Sequence, residues 1–222
     1  MFSHIVLKLL IILIIINLIK KTQMSLTNHF LPEHRTNINH MNYYYFTNAF
    51  TPEEILKIIE IGENLPITPG TTVGHDNEVG VSEYRISDIS WIDETEETAW
   101  IYEKISNYAK IANKEMWNFD IWGYQDLLQF TKYYGNGGHY DWHVDLGPGI
   151  SNRKLSCVLQ LSAPEEYEGG TLQMNPGGNI IEVPKGLGTL CFFPSFLLHR
   201  VTPLSSGTRK SLVTWLCGAN FR

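Results

Sequence analysis

The apolar and polar positions of this 222-residue chain change their period twice, and the changes divide it into three stretches. Residues 5–19, IVLKLLIILIIINLI, are one apolar run broken by Lys8 and Asn17 and closed by Lys20 and Lys21. The run is shorter than the about 20 residues that a membrane-spanning helix needs, and no small-x-small cleavage site follows it. Two expectations stand for it: an uncleaved anchor, or an unused upstream start with translation beginning at Met24 or Met41. The second is adopted here, which makes the cytoplasm the expected location and membrane anchoring through residues 5–19 the alternative. Residues 24–41 are polar and aperiodic, as in a tail outside a folded core. The expected division is 1–41 as apolar segment and tail, 42–123 as a helical support region, and 124–222 as a strand-rich domain.

NYYYF, from Asn42, reads as a short strand. Thr51-Pro52-Glu53-Glu54 then predicts a helix start, with Thr51 as N-cap, Pro52 in the first turn and Glu54 closing a capping box. Ile55, Ile58 and Ile59 form its apolar face, and Gly62 is the expected end. Residues 66–84 hold Gly, Pro, Thr and Val without a helical period and predict a long loop, which in a compact domain is often a lid or a binding loop. Ile101, Ile105, Tyr108 and Ala112 step at helical spacing and predict a second helix over 94–116 with an acidic first turn. After Trp117 the texture changes. FDIW, DLLQFTKYY, YDWHVDL, KLSCVLQLS, GTLQMN, NIIEV, GTLCFF, HRVTPL and KSLVTWL are short, β-prone and separated by turn residues. Such closely spaced strands imply a sandwich, jelly roll or small barrel. Gly169 and Gly170 are expected in a hairpin turn, and Trp91, Trp100, Trp117, Trp122 and Trp142 in structural packing.

Composition narrows the function. Hydrophobic residues make up 43% and charged residues 18%, as in ordinary folded proteins, and the net charge is −6. Without residues 1–23, which carry three Lys and no acid, it becomes −9. An acidic chain does not gather phosphate backbones, which argues against a nucleic-acid partner. Three scattered cysteines, Cys157, Cys191 and Cys217, suit buried apolar positions in a reducing compartment rather than disulfides.

The chemistry concentrates in residues 133–145, YYGNGGHYDWHVD. His143 and Asp145 are two apart, so on an extended strand they share a face and can hold one ion. His139 and Asp141 have the same spacing, and spacing alone does not choose between the pairs. The glycines at 135, 137 and 138 place His139 nearer a turn. Among the remaining histidines only His199 lies in the strand-rich region downstream. Two imidazoles and one carboxylate on one side of a metal leave positions open opposite, the arrangement of non-haem Fe(II) oxygenases. A chelating dicarboxylate there needs its far carboxylate neutralised in a dry site, and Arg209 is the candidate guanidinium. Lys210, beside it, should face solvent.

These residues resemble the 2-oxoglutarate and Fe(II)-dependent dioxygenases of the prolyl 4-hydroxylase type. Tyr134-x-x-Gly137-x-x-Tyr140-x-x-His143-x-Asp145 is similar to their first signature. His199-x-x-x-Pro203-x-x-x-Gly207-x-Arg209, with Trp215 following, is similar to their second. Arg85-Ile-Ser87, Arg153-Lys-Leu-Ser156, Tyr167-Glu-Gly-Gly170, Phe193-Pro-Ser195 and the closing WLCGANFR look most like the PKHD-type branch. The resemblance covers residues 42–222. It implies a mainly β fold with flanking helices, a double-stranded β-helix or distorted jelly roll over 124–222. It further implies Fe(II) on His143, Asp145 and His199, 2-oxoglutarate on Arg209, dioxygen as oxidant, and hydroxylation of an unactivated C–H with release of succinate and CO2. Tyr133 matches a position whose phenol contacts the co-substrate, with Tyr134 and Tyr140 as rivals. Ascorbate is the implied reductant. Family members commonly have Lys where Arg209 stands. A protein or peptide substrate follows by analogy, and a small molecule stays open. The rival functions are a cupin-like metal enzyme that needs no 2-oxoglutarate and a non-catalytic barrel that binds a partner. His75, in the long loop, is a solvated residue or a substrate contact.

Overall fold

Local signals decide the first elements. The computed structural model of the protein describes residues 42–73, 79–80 and 82–220, all within the unit Thr36–Arg222. The apolar run at 5–19, Met24, Met41, the polar tail, His75 and residues 221 and 222 lie outside the described residues. Strand β1 (Tyr44–Phe46) leads into helix α1 (Pro52–Glu63). Thr51 caps the helix as the sequence predicts: its hydroxyl accepts from the Glu54 N–H, and the Glu54 carboxylate accepts from the Thr51 N–H. Gly62 does not end it. This glycine is buried in the last turn, where an added Cβ would lie 2.4 Å from Phe130 Cγ, so its role is to let the helix lie close against the sheet.

Strands β2 (Thr68–Pro69), β3 (Thr72–Val73), β4 (Val79–Gly80), β5 (Arg85–Ile86) and β6 (Asp88–Ile92) follow. The expected loop at 66–84 therefore contains short pairings, β2 with β6 and β3 with β4. Helix α2 (Ala99–Met116) begins at Ala99 rather than Glu94. The Thr98 hydroxyl donates to the Asp93 carbonyl and accepts from the Thr95 N–H, closing a turn that keeps Glu94, Glu96 and Glu97 ahead of the helix. No acid occupies its first turn, contrary to expectation.

The remaining elements are β7 (Ile121–Tyr124), β8 (Leu128–Tyr134), β9 (His139–His143), β10 (Arg153–Gln160), β11 (Tyr167–Gly169), β12 (Leu172–Asn175), β13 (Ile181–Glu182), β14 (Leu190–Pro194), β15 (Leu198–Val201) and β16 (Leu204–Gly218). Each expected strand segment forms one, and β11 is an addition. The larger sheet runs β1-β14-β10-β16-β8-β6-β2, with β7 and β11 also paired to β16. The smaller runs β13-β12-β15-β9-β5. Two antiparallel sheets with helices at the side are the mainly β, distorted jelly-roll architecture that the strand pattern and the resemblance imply. Among the described residues, no helix is long and apolar enough to cross a membrane.

Alternation along the larger sheet sorts its side chains into two environments. Leu128 and Phe130 of β8, Leu155, Cys157 and Leu159 of β10, and Leu212 of β16 pack with Ile55 and Ile58 of α1 and Ile101 and Ile105 of α2. The opposite face carries Gln129, Tyr133, Val158, Arg209, Ser211, Val213 and Trp215, which line a cavity. The buried inner core includes Tyr133, Val158, Leu172, Met174, Phe193 and Leu204. Gly169 and Gly170 do not form a hairpin. With φ of 81° and 56° they carry the chain from β11, paired to β16 in one sheet, to β12, paired to β15 in the other.

Candidate metal and co-substrate site

His143 is the last residue of β9 and pairs in register with His199 of β15. Asp145 lies beyond the strand end, where its N–H donates to the Ser195 carbonyl at 2.8 Å. The strand thus supplies one ligand candidate, and a bend tied to the larger sheet supplies the next. His143 Nε2 is 3.8 Å from Asp145 Oδ1, and His199 Nε2 is 3.4 Å from Asp145 Oδ2. One ligand atom from each residue falls within 4.8 Å of the others. The rival pair is not brought together in this way: His139 Nδ1 meets the Gly137 carbonyl at 2.7 Å, and the Asp141 carboxylate accepts from the Trp142 N–H.

The second contacts of the three residues fix their chemistry. His143 Nδ1 lies 2.7 Å from the Asp141 carbonyl and His199 Nδ1 2.8 Å from the Leu197 carbonyl. A carbonyl only accepts, so both Nδ1 atoms carry the proton and both Nε2 lone pairs face the third residue. Tyr140 stacks on His143 with ring centroids 3.5 Å apart, and Phe193 packs against His199 at 4.7 Å. Burial, followed by the neighbouring His199, pushes the His143 pKa down to about 3, which keeps the imidazole neutral. Burial opposes the Asp145 charge. The two imidazoles, the Ser156 hydroxyl that donates to Oδ2 at 2.5 Å and the Trp215 indole outweigh it, and the carboxyl is held below its usual range. A carboxylate and two imidazoles whose Nε2 atoms converge on it fit a divalent cation.

Across the cavity, Arg209 is 1% exposed. Its Nη2 donates to Gln160 Oε1 at 3.0 Å and its Nη1 to Ser211 Oγ at 3.4 Å, while Nε has no hydrogen-bond partner. No carboxylate among the described residues pairs with it. Gly170 makes room for it, since a Cβ there would lie 3.0 Å from Arg209 Cδ. Tyr133, its partner in register, is buried, and the guanidinium lies 5.5 Å from its ring. Tyr134, one of its rivals, turns away and donates to Asp88, while Tyr140 lies against His143 in the cavity wall. Lys210 is half-buried rather than free in solvent, 3.4 Å from Glu63.

His143, Asp145, His199, Tyr133, Tyr140 and Arg209 border one cavity of about 870 Å³. Trp91, expected in structural packing, is 39% exposed and forms part of its wall. Trp122 is exposed, and Trp142 is half-buried with the Arg200 guanidinium 4.5 Å over its ring. The supports Ser156, Ser195 and Gln160 carried no role in the sequence reading. Ser156 and Ser195 stood only within stretches that look like the PKHD-type branch, and nothing singled out Gln160.

A two-sheet jelly roll with a His-Asp-His cluster and a buried arginine in one cavity has donors suited to a divalent cation and an anionic ligand. Residues 128–217 match the model of the 2OG-Fe(II) oxygenase superfamily. A PKHD-type hydroxylase of Colwellia psychrerythraea is 38% identical over 84 residues, 36% of this chain and 38% of that protein. One of Stenotrophomonas maltophilia is 40% identical over 94 residues, 40% of this chain and 41% of that protein. The chain thus spans about two fifths of the length of these curated relatives. Among solved structures, a Trichoplax adhaerens prolyl hydroxylase in complex with a hypoxia inducible factor peptide fragment has a TM-score of 0.63 at 20% identity, over 82% of this chain and 86% of that one. A Pseudomonas putida prolyl-4-hydroxylase also reaches 0.63 at 20% identity, over 81% and 94%. These two share the fold.

Proposed function

We propose that the chain is an Fe(II)- and 2-oxoglutarate-dependent dioxygenase that hydroxylates an unactivated C–H and releases succinate and CO2. The observation that carries this reading is the presence in one cavity of the His143, Asp145, His199 cluster and the buried Arg209 without a counter-ion. His143, Asp145 and His199 hold the iron. Arg209 takes the far carboxylate of 2-oxoglutarate through two charge-assisted hydrogen bonds, and Tyr133 flanks it. When bound, the iron supplies oxidative decarboxylation of the co-substrate and oxidation of the substrate C–H.

The chain's own residues perform the rest. Carbonyls of Asp141 and Leu197 orient the imidazoles, the Ser156 hydroxyl fixes the Asp145 carboxylate, the Ser195 carbonyl holds the Asp145 backbone N–H, and Tyr140 and Phe193 exclude water from the rings. Gln160 and Ser211 hold the guanidinium in place. A protein or peptide substrate of prolyl type is favoured by the names of the similar proteins, with ascorbate restoring ferrous iron. Residues 42–123, expected as a helical support for the barrel over 124–222, pack α1 and α2 against it and also lend β1, β2, β5 and β6 to its two sheets. The three cysteines are free and buried, in keeping with a cytoplasmic protein.

Anaerobic titration with Fe(II) and 2-oxoglutarate tests the reading. The visible charge-transfer band of the chelate should appear and should vanish in His143→Ala. A folded, metal-loaded protein without the band would favour a cupin-like enzyme or a non-catalytic barrel instead.

A further inference from the structure

One charged group in the cavity has no task in the reaction proposed above. Arg85 of β5 is 7% exposed and lines the same cavity as Asp145 and Arg209. Its Nε donates to Ser87 Oγ at 2.9 Å, its Nη1 to the Thr71 carbonyl at 3.4 Å and its Nη2 to Gln129 Oε1 at 2.8 Å. All three acceptors are neutral, and no carboxylate among the described residues pairs with it. A guanidinium has five N–H donors, so one remains on each terminal nitrogen. Two such donors are enough in number to meet the two oxygens of a carboxylate.

Arg153, also in the cavity wall, is a useful contrast. Its Nε and Nη2 both donate to Asp126, at 3.0 and 2.8 Å, and its guanidinium lies 3.7 Å over the Trp215 ring. Its charge is answered within the fold, whereas that of Arg85 is not. The Arg85 side chain is also held in a built position. A Cβ on Gly70 would lie 2.5 Å from its Nε, so the backbone closes over it, and the Tyr140 ring lies 4.8 Å from Cζ on another side. That same Tyr140 ring stacks on His143. A carboxylate on Arg85 is therefore separated from the metal-binding corner by little more than the Tyr140 ring, the span of a small molecule. Among the described residues that line the cavity, Asp145, a proposed metal ligand, is the one carboxylate.

We propose that Arg85 is a specificity-determining residue that receives the substrate's own carboxylate. The substrate class is then a carboxylate-bearing molecule whose target C–H lies a few bonds from that group, either a small acid or the C-terminal residue of a peptide. This inference rests on the dioxygenase reading and adds the charged group by which the substrate is recognised.

The test uses the full chain, held anaerobically with Fe(II) and saturating 2-oxoglutarate. The probes are the N-acetyl derivatives of the common amino acids, acetylated tripeptides ending in the same residues, and the carboxamides of both sets. Binding is read from the shift of the chelate band and from tryptophan fluorescence, since Trp91 and Trp215 line the cavity. At least one free acid should bind about tenfold or more tighter than its amide, the scale of a charge-assisted hydrogen bond. The set that contains it identifies the source as a small acid or a peptide end. Arg85→Gln and Gln129→Glu should each bring the ratio close to one. The second adds a counter-ion to Arg85 at nearly constant shape and so keeps the test open if the first fails to fold. Equal binding of acid and amide, no binding by any acid, or a preference that survives both variants would overturn the proposal. Absence of the chelate band before any probe is added would instead overturn the underlying dioxygenase reading, and this inference with it.

Discussion

The two sheets that enclose the cavity hold their residues differently. On the larger sheet, all eight residues of β10 are buried, and the inward-facing Ser156, Gln160 and Arg209 are each 2% exposed or less. On the smaller sheet, none of the five residues of β9 is fully buried. The larger sheet has α1 and α2 packed on one face and the cavity on the other, so both faces of its strands are covered. The smaller one fixes its two histidines by ring stacking and backbone acceptors. On the proposed function, co-substrate anchoring would rest on dense packing, and metal binding on a few directional contacts.

The largest expected effect is on the packed side. On the proposed function, Arg209→Ala should leave the far carboxylate of 2-oxoglutarate unpaired in a buried site, a loss of roughly 3 to 5 kcal/mol, or about two to four orders of magnitude in Kd. Titration of the chelate band measures it, and a variant that kept its affinity would remove Arg209 from the site. Next is Gly62→Ala, which drives a methyl group into Phe130 behind β8 and should destabilise the fold by about 1 to 3 kcal/mol in urea unfolding. The smallest is Trp142→Ala on the smaller sheet, which removes the stack with Arg200 at a cost of about 0.5 to 1 kcal/mol. Equal losses for the last two would break the contrast between the sheets, and a wider gap would sharpen it.

What the sequence made legible follows the range of the interactions. The capping box at Thr51 is complete within four residues and was readable. The strands after Trp117 were readable because turn residues separate them. Spacing offered two His-x-Asp pairs, and only the glycines before His139 and the family resemblance preferred His143 and Asp145, the pair that the fold brings beside His199. The start of α2 was not, because the turn that displaces it depends on the Thr98 hydroxyl reaching back to Asp93. Gly62 looked like a terminator because only the approach of Phe130 shows its other use. Trp142 alternates with the ligand candidates as expected, but the far side of β9 is not core. Arg85 was visible as part of a familiar tripeptide, while its missing counter-ion depends on Gln129, 44 residues away.

The division of the three ligand candidates between the sheets has a mechanical consequence. His143 and His199 sit on neighbouring strands of the smaller sheet, whereas Asp145 is tethered to Ser156 of β10 and to Ser195 just after β14. An ion held by all three would work as a hasp across the mouth of the sandwich. Breathing of one sheet against the other would then pull on the coordination bonds themselves, so that iron supply governs how long the barrel stays shut.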